Sequence, residues 1–81
     1  MHVTVRLFAR LRELAGTSEL DRDLPDGATA ADAWKAIVAD HPEMTSYSTA
    51  ISCAVNASYV KLNSPLTEGD EIVFMPPVSG G

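Results

Sequence analysis

The 81-residue chain is long enough for one domain with a modest hydrophobic core and too short for two. Apolar residues make up 46% and charged residues 21%, which excludes a disordered or fibrous chain. Its net charge of −5 disfavours binding to nucleic acid or to anionic membranes and favours a partner with a basic surface. The single cysteine cannot form an internal disulfide, and no signal peptide or membrane span is evident, so we expect a cytoplasmic protein.

The first part of the chain is predicted to form two strands around a short helical turn. Apolar and polar residues alternate from Val3 to Phe8, which is the period of a half-buried strand. Residues 9–15 carry apolar residues at helical spacing, and Gly16 follows where a left-handed C-cap is favoured. A weaker strand is predicted over residues 19–24, before the turn Pro25-Asp26-Gly27, and we expect the two strands to pair.

One main helix is predicted in the middle of the chain. Thr29 and Asp32 form a capping-box variant, and the apolar face of the helix runs to about Asp40, where His41-Pro42 ends it. That face consists of Ala30, Trp34, Ile37 and Val38. Residues 43–49 show no periodicity and are predicted to be a loop.

Three further strands are predicted after this loop. Alternation indicates a third strand over residues 51–55, and Val60 with Leu62 suggests a short fourth. Residues 65–70 read as a turn in which Gly69 can take positive φ, before a last strand over residues 71–75. This order of elements predicts an α+β fold in which a mixed sheet packs on the main helix, as in the β-grasp plan, although other small α+β folds share it. We therefore expect a β-grasp domain over residues 1–75 and an extended tail over residues 76–81.

The common catalytic constellations are absent from the sequence. There is no glycine-rich phosphate loop, no Cys and His cluster at metal spacing and no Ser-His-Asp set, so we expect neither a bound metal nor catalysis by this chain alone. The other candidate residues have structural interpretations: surface or capping positions for His2 and His41, the core for Trp34 and Cys53, and a solvated turn for Asp70 and Glu71.

The last six residues are the most informative segment. Pro76 and Pro77 lack backbone N–H groups, so the final strand cannot continue through them, and the chain is expected to project as a stiff stem. Val78 and Ser79 follow, and Gly80-Gly81 could thread a narrow channel. The Gly81 carboxylate is a poor electrophile until it is activated, and an acyl-adenylate made by a separate enzyme would let a sulfur donor displace AMP and leave a thiocarboxylate. A frayed terminus is the simpler alternative.

Four sets of residues carry a family resemblance: Phe8-Ala9 with Arg12-Glu13-Leu14 and Gly16, Val55-Asn56, Pro65-Leu66-Thr67 with Gly69-Asp70-Glu71, and the ending Pro76-Pro77-Val78-Ser79-Gly80-Gly81. In these residues the chain resembles the small, sulfur-carrying subunits of molybdopterin synthase, which are relatives of the thiamine-pathway sulfur carriers. It implies a ubiquitin-like β-grasp fold, ATP-dependent adenylation of Gly81 by an activating enzyme, and a transient acyl-adenylate and thiocarboxylate. It also implies insertion of the tail into the large subunit of a heterotetramer, where sulfur passes to a pyranopterin precursor, while metal and pterin need not bind this chain.

The side of the sheet opposite the main helix is predicted to be a partner interface. The period of two places Phe8, Tyr59, Val73 and Met75 on that side, and this apolar set would suit a protein contact unless loops cover it. Arg12 is close in sequence, and the resemblance implies an interface position for it.

Three alternatives remain open from the sequence. A thiamine-type sulfur carrier shares the fold and the Gly-Gly ending but is usually shorter and lacks the Pro-Pro stem. A ubiquitin-like modifier would be joined through Gly81 to lysines of other proteins. A plain interaction domain would have a tail without function.

Overall fold

A computed structural model describes residues 1–77 of the chain. The strands are β1 (His2–Leu7), β2 (Glu19–Asp23), β3 (Ser52–Val55), β4 (Ser58–Val60) and β5 (Glu71–Met75). The helices are α1 (Ala9–Ala15) and α2 (Ala30–Asp40), and a 3₁₀ helix (Pro42–Tyr47) follows α2.

The five strands form one mixed sheet in the order β2-β1-β5-β3-β4. The central strand β5 is parallel to its neighbour β1, and each of the other neighbouring pairs is antiparallel. Inward residues of β1, β3 and β5 are buried together with the apolar face of α2. The predicted α+β arrangement, a mixed sheet on one main helix with a short extra helical turn, is therefore confirmed.

Local sequence explains where α2 begins and what it buries. The Thr29 side chain accepts a hydrogen bond from the Asp32 N–H, and the Asp32 carboxylate accepts one from the Thr29 N–H, so the capping box is complete. Trp34 is buried edge-on against Phe74 of β5, with ring centroids 5.2 Å apart, a contact worth about 0.5–1.5 kcal/mol beyond area burial. Val38, which was predicted on the apolar face of the helix, is only half-buried. Ala33, which was not predicted there, is fully buried.

The turn between β1 and α1 sets the direction of the chain at the end of the sheet. Phe8 is extended, and Ala9 has φ 53°, an unusual value for a residue with a side chain. After seven helical residues, Gly16 takes φ 77° and donates its N–H to the Arg12 carbonyl. The predicted glycine C-cap is confirmed.

One prediction for the second half was wrong, and the fourth strand was confirmed with different bounds. Residues 43–49 were expected to be a loop, yet Pro42–Tyr47 forms a 3₁₀ helix that buries Met44 completely. A short 3₁₀ helix that buries a single side chain has no repeating apolar pattern in its sequence, so the sequence could not predict it. The fourth strand is Ser58–Val60, and Leu62 lies beyond it as a half-buried residue against the core.

Among residues 1–77, no helix has both the length and the apolarity needed to span a membrane.

Candidate functional site

The sheet face opposite α2 has a charged half and an apolar half. The strand registers align Glu19, Arg6, Val73, Ala54 and Tyr59 in one row across all five strands. At the β1 side of this row, the Arg6 Nε lies 3.3 Å from a Glu71 carboxylate oxygen. Glu71 of β5 therefore belongs to the charged half, and the apolar half lies over the rest of β5, over β3 and β4, and at Phe8, which follows β1.

We call this apolar half the open-face patch, and it consists of Phe8, Ala54, Tyr59, Val73 and Met75. Phe8 is 48% exposed and Tyr59 is 78% exposed, which is unusual for large aromatic side chains. Val73 and Met75 are half-buried, and Ala54 is buried. The patch therefore combines two exposed aromatic side chains with three less exposed apolar residues, and such a surface is suited to burial in a protein interface.

The sequence analysis missed Ala54 as a member of this patch. Ala54 alternates with Cys53 and Val55, so the period of two did place it on the outer face. Its position between Val73 and Tyr59 depends on the pairing of β3 with both β5 and β4.

Arg12 lies in the last turn of α1 and is exposed. Arg6, Arg10 and Arg22 each form an ion pair with a carboxylate. Arg12 forms none within residues 1–77, which leaves its guanidinium available to an acidic group of a partner.

The C-terminal strand β5 occupies the centre of the sheet and ends just before the two prolines. β5 lies between β1 and β3 and ends at Met75, after which Pro76 is half-buried and Pro77 is exposed. The predicted end of pairing at the two prolines is confirmed. The remaining predicted tail residues, Val78, Ser79, Gly80 and Gly81, lie outside the described residues.

The residues that were expected to be structural are mostly so. Cys53 is 1% exposed, and burial raises the pKa of its thiol, which disfavours the reactive thiolate. His2 is exposed beside Asp21, and the His41 N–H caps α2 by donating to the Ile37 carbonyl. Within residues 1–77, no group of His, Cys, Asp and Glu side chains is placed to hold a metal ion.

Asp70 was expected to be a solvated turn residue, and this was wrong, because it is only 8% exposed. Its carboxylate accepts hydrogen bonds from the Thr67 N–H, the Thr67 hydroxyl and the Asn56 side-chain amide. The pKa of Asp70 lies below its ordinary value, mainly because the carboxylate accepts the hydrogen bond from the Thr67 N–H. Partial desolvation raises the pKa, and the hydrogen bonds from the Asn56 and Thr67 side chains lower it further. Asp70 therefore closes the turn before β5.

Comparison with known proteins gives a consistent result along the whole chain. Residues 5–81 match the ThiS family. The molybdopterin synthase sulfur carrier subunit of Chlamydomonas reinhardtii is 39% identical over 83 residues, with both chains fully covered. Small archaeal modifier protein 1 of Haloferax volcanii is 34% identical, covering 94% of this chain and 97% of that protein.

Solved structures extend this likeness to the fold. The crystal structure of SAMP1 from Haloferax volcanii superposes with a TM-score of 0.85 at 32% identity, and both chains are fully covered. A chain in the complex of subunits 1 and 2 of the molybdopterin-converting factor from Helicobacter pylori superposes with a TM-score of 0.68 at 27% identity, again over both full lengths. The fold is thus the ubiquitin-like β-grasp fold, and the chain belongs to the ThiS family.

Proposed function

We propose that this chain is a sulfur carrier in molybdopterin biosynthesis and that the Gly81 carboxylate is its working group. The observation that carries the proposal is the end of the central strand β5 in Pro76-Pro77, beside the open-face patch. The full-length likeness to the Chlamydomonas sulfur carrier subunit supports the same role. In this proposal residues 1–75 are the domain that binds partners and residues 76–81 are the tail that delivers sulfur. The chain would act in the cytoplasm.

Activation of Gly81 would take two steps on a separate ATP-dependent enzyme. A carboxylate oxygen of Gly81 attacks the α-phosphorus of ATP, and pyrophosphate leaves to give an acyl-adenylate. A donor supplying sulfur at the oxidation level of sulfide then attacks the carbonyl carbon, and AMP leaves. The product is a thiocarboxylate, whose sulfur is a good nucleophile. Since residues 1–77 hold no pocket for a nucleotide, the activating enzyme must supply one.

Sulfur transfer would take place in the active site of the large synthase subunit. The tail enters that site, and its sulfur attacks a carbon of the pyranopterin precursor, from which an oxygen substituent leaves. Hydrolysis of the bond between sulfur and the Gly81 carbonyl carbon leaves the sulfur on the precursor and restores the carboxylate. Two such transfers produce the dithiolene that later binds molybdenum, and the assembly would be a heterotetramer with two large subunits at its centre.

The open-face patch and Arg12 are the proposed docking surface for the large subunit. Phe8 and Tyr59 would supply buried aromatic anchors, which often carry most of the energy of an interface. Arg12 would bind an acidic group at the rim. A similar solved structure supports this assignment, because it is a complex of subunits 1 and 2 of a molybdopterin-converting factor.

A second candidate function is that of a ubiquitin-like modifier. The likeness to small archaeal modifier protein 1 favours it, since that protein is as well covered as the sulfur carriers. In this case the activated Gly81 would be attacked by a lysine amine of a target protein, forming an amide. A thiamine-type carrier would share the sulfur chemistry but deliver sulfur to another acceptor.

Intact mass spectrometry separates these possibilities. The chain is incubated with ATP, the activating enzyme of the same cell and sulfide, with a sample lacking ATP as the control. The sulfur carrier proposal predicts an ATP-dependent mass gain equal to replacement of one oxygen by sulfur. Adducts on lysines of other proteins would favour the modifier, and an unchanged mass would contradict the sulfur carrier proposal. A second assay then measures whether the large synthase subunit transfers this sulfur to a pyranopterin. Transfer favours the molybdopterin pathway over the thiamine pathway.

A further inference from the structure

The backbone groups of β5 alternate between its two neighbouring strands. On the β1 side, the Thr4 N–H donates to the Asp70 carbonyl at 3.0 Å. On the β3 side, the Asn56 N–H donates to the Glu71 carbonyl at 2.9 Å. Because successive residues of a strand direct their polar groups to opposite sides, even-numbered residues of this segment face β1 and odd-numbered residues face β3.

Continuing this alternation past Met75 gives the two prolines different neighbours. The parallel register, Leu7 with Phe74, would bring the nitrogen of residue 76 to the Phe8 carbonyl. The antiparallel register, Ser52 with Met75, would bring the nitrogen of residue 77 to the carbonyl of residue 50. Proline has no N–H to donate at either place. One proline alone would leave the other side of the strand able to pair.

Both neighbouring chains also turn away at this level of the sheet. On the β1 side, Ala9 takes φ 53° and the Phe8 carbonyl accepts the Leu11 N–H at 3.1 Å. Positive φ costs an alanine of the order of 1 kcal/mol or more, and such strained residues are concentrated at functional sites. On the β3 side, the N–H groups of residues 50 and 51 both donate to the carbonyl of Tyr47, the last residue of the 3₁₀ helix, so the chain there lies in the turn that follows this helix.

We infer that Pro76 and Pro77 are positioning residues with separate tasks: Pro76 prevents β5 from extending along β1, and Pro77 prevents it from extending along β3. The Phe8 carbonyl already accepts the Leu11 N–H, so an N–H at position 76 would share this carbonyl through its second lone pair. The consequence for the tail rests on the proposed function, because a tail held beside a neighbouring strand would reach a partner's active site less often.

The test uses ¹⁵N-labelled full-length protein with Pro76→Ala, Pro77→Ala or both changes. Each single variant introduces one new backbone N–H, which reports on its own surroundings. In Pro76→Ala we expect the new amide to exchange about tenfold or more slowly than an open amide and to show contacts with residues 8 and 9. In Pro77→Ala we expect the new amide to show contacts with residues 50 and 51. The inference would be overturned if the new amides of both variants exchanged as fast as open amides. It would also be overturned if both new amides contacted the same neighbouring strand.

A semisynthetic chain with N-methylalanine at position 76 separates the missing N–H from the proline ring. This residue cannot donate a hydrogen bond, so we expect it to leave residue 76 unpaired, as in the wild type. Its transfer of sulfur to the precursor in the large subunit should match that of the wild type, whereas Pro76→Ala should raise the KM for the carrier chain several-fold at similar kcat. A chain with N-methylalanine that behaves like Pro76→Ala would refute the role of the missing donor. Failure of wild-type sulfur transfer would refute the proposed function alone, because the exchange measurements do not depend on it.

Discussion

Asn56 and Asp70 are joined by a hydrogen bond of 2.9 Å from the Asn56 Nδ2 to an Asp70 carboxylate oxygen. The Asn56 Oδ1 in turn accepts the Glu71 N–H at 3.0 Å. With the two bonds from Thr67 to Asp70, this network ties the β3–β4 turn to the turn that opens β5. A carboxylate that is nine-tenths buried requires such donors, so Asp70 is a structural anchor of the central strand.

Replacing Asp70 by alanine should destabilise the fold. Asp70→Ala leaves the Asn56 amide and the Thr67 N–H without their acceptor, and we expect a loss of about 1–3 kcal/mol in the free energy of unfolding. Urea denaturation at neutral pH measures it. The matched control is Asp23→Ala, because Asp23 is exposed on the edge strand β2, and it should change stability by less than about 0.5 kcal/mol. Equal effects of the two changes would mean that the network contributes nothing.

The network should also make stability depend on pH in the acid range. The pKa of Asp70 in the folded protein is lowered from its ordinary value of 3.8, chiefly by the Thr67 N–H. Its contribution is therefore fully present above that ordinary value and is lost as the pH falls through the lower folded pKa. The stability difference between wild type and Asp70→Asn should narrow over this interval, as measured by urea denaturation at successive pH values. A constant difference would contradict the assignment.

A substitution in the β3–β4 turn should stabilise the protein. Asn56 and Ala57 both have positive φ, 49° and 72°, which is the backbone of a two-residue type I′ hairpin. Ala57→Gly should remove the strain of an alanine in the left-handed region, although glycine makes the unfolded chain more flexible. The net result should be a rise of about 0.5–1 kcal/mol in the free energy of unfolding. Thermal denaturation checks this. Ala54→Gly, in the regular strand β3, should lower stability instead.

Local patterns predicted most of the fold because each element carries its own signal. The alternation of Val3, Val5 and Leu7 defines a strand without reference to the rest of the chain, and the Thr29–Asp32 capping box marks the helix start in the same way. The burial of Asp70 had no such signal, since it depends on Asn56, which only the folded sheet brings close.

The candidate site was predictable to a similar extent. The period of two placed Phe8 and Tyr59 on the outer face, and the structure leaves both rings exposed. The charged half of that face was not predicted, because it arises from the pairing of β2 with β1 and of Arg6 with Glu71. The roles of the patch, Arg12 and Gly81 remain predictions.

Truncating Phe8 should weaken binding to the large synthase subunit without affecting the fold. Phe8 is about half exposed, so Phe8→Ala should alter stability little, whereas loss of a buried aromatic anchor costs an interface about 1–3 kcal/mol, or roughly 5- to 150-fold in Kd. Isothermal titration calorimetry measures the affinity. The control is Lys35→Ala on α2, on the opposite side of the sheet, which should bind as the wild type does. Unchanged affinity for Phe8→Ala would remove the patch from the interface.

Adding one alanine after Gly81 should abolish sulfur transfer while leaving the fold intact. The extra residue moves the terminal carboxylate by about 3.3–3.6 Å and replaces the Gly81 carboxylate with an amide, which cannot be adenylated. Intact mass after incubation with ATP, the activating enzyme and sulfide should show no exchange of oxygen for sulfur, and the melting temperature should equal that of the wild type. Trimming the added residue with a carboxypeptidase should restore the exchange. Full activity of the untrimmed variant would show that the chemistry takes place at another group of the chain.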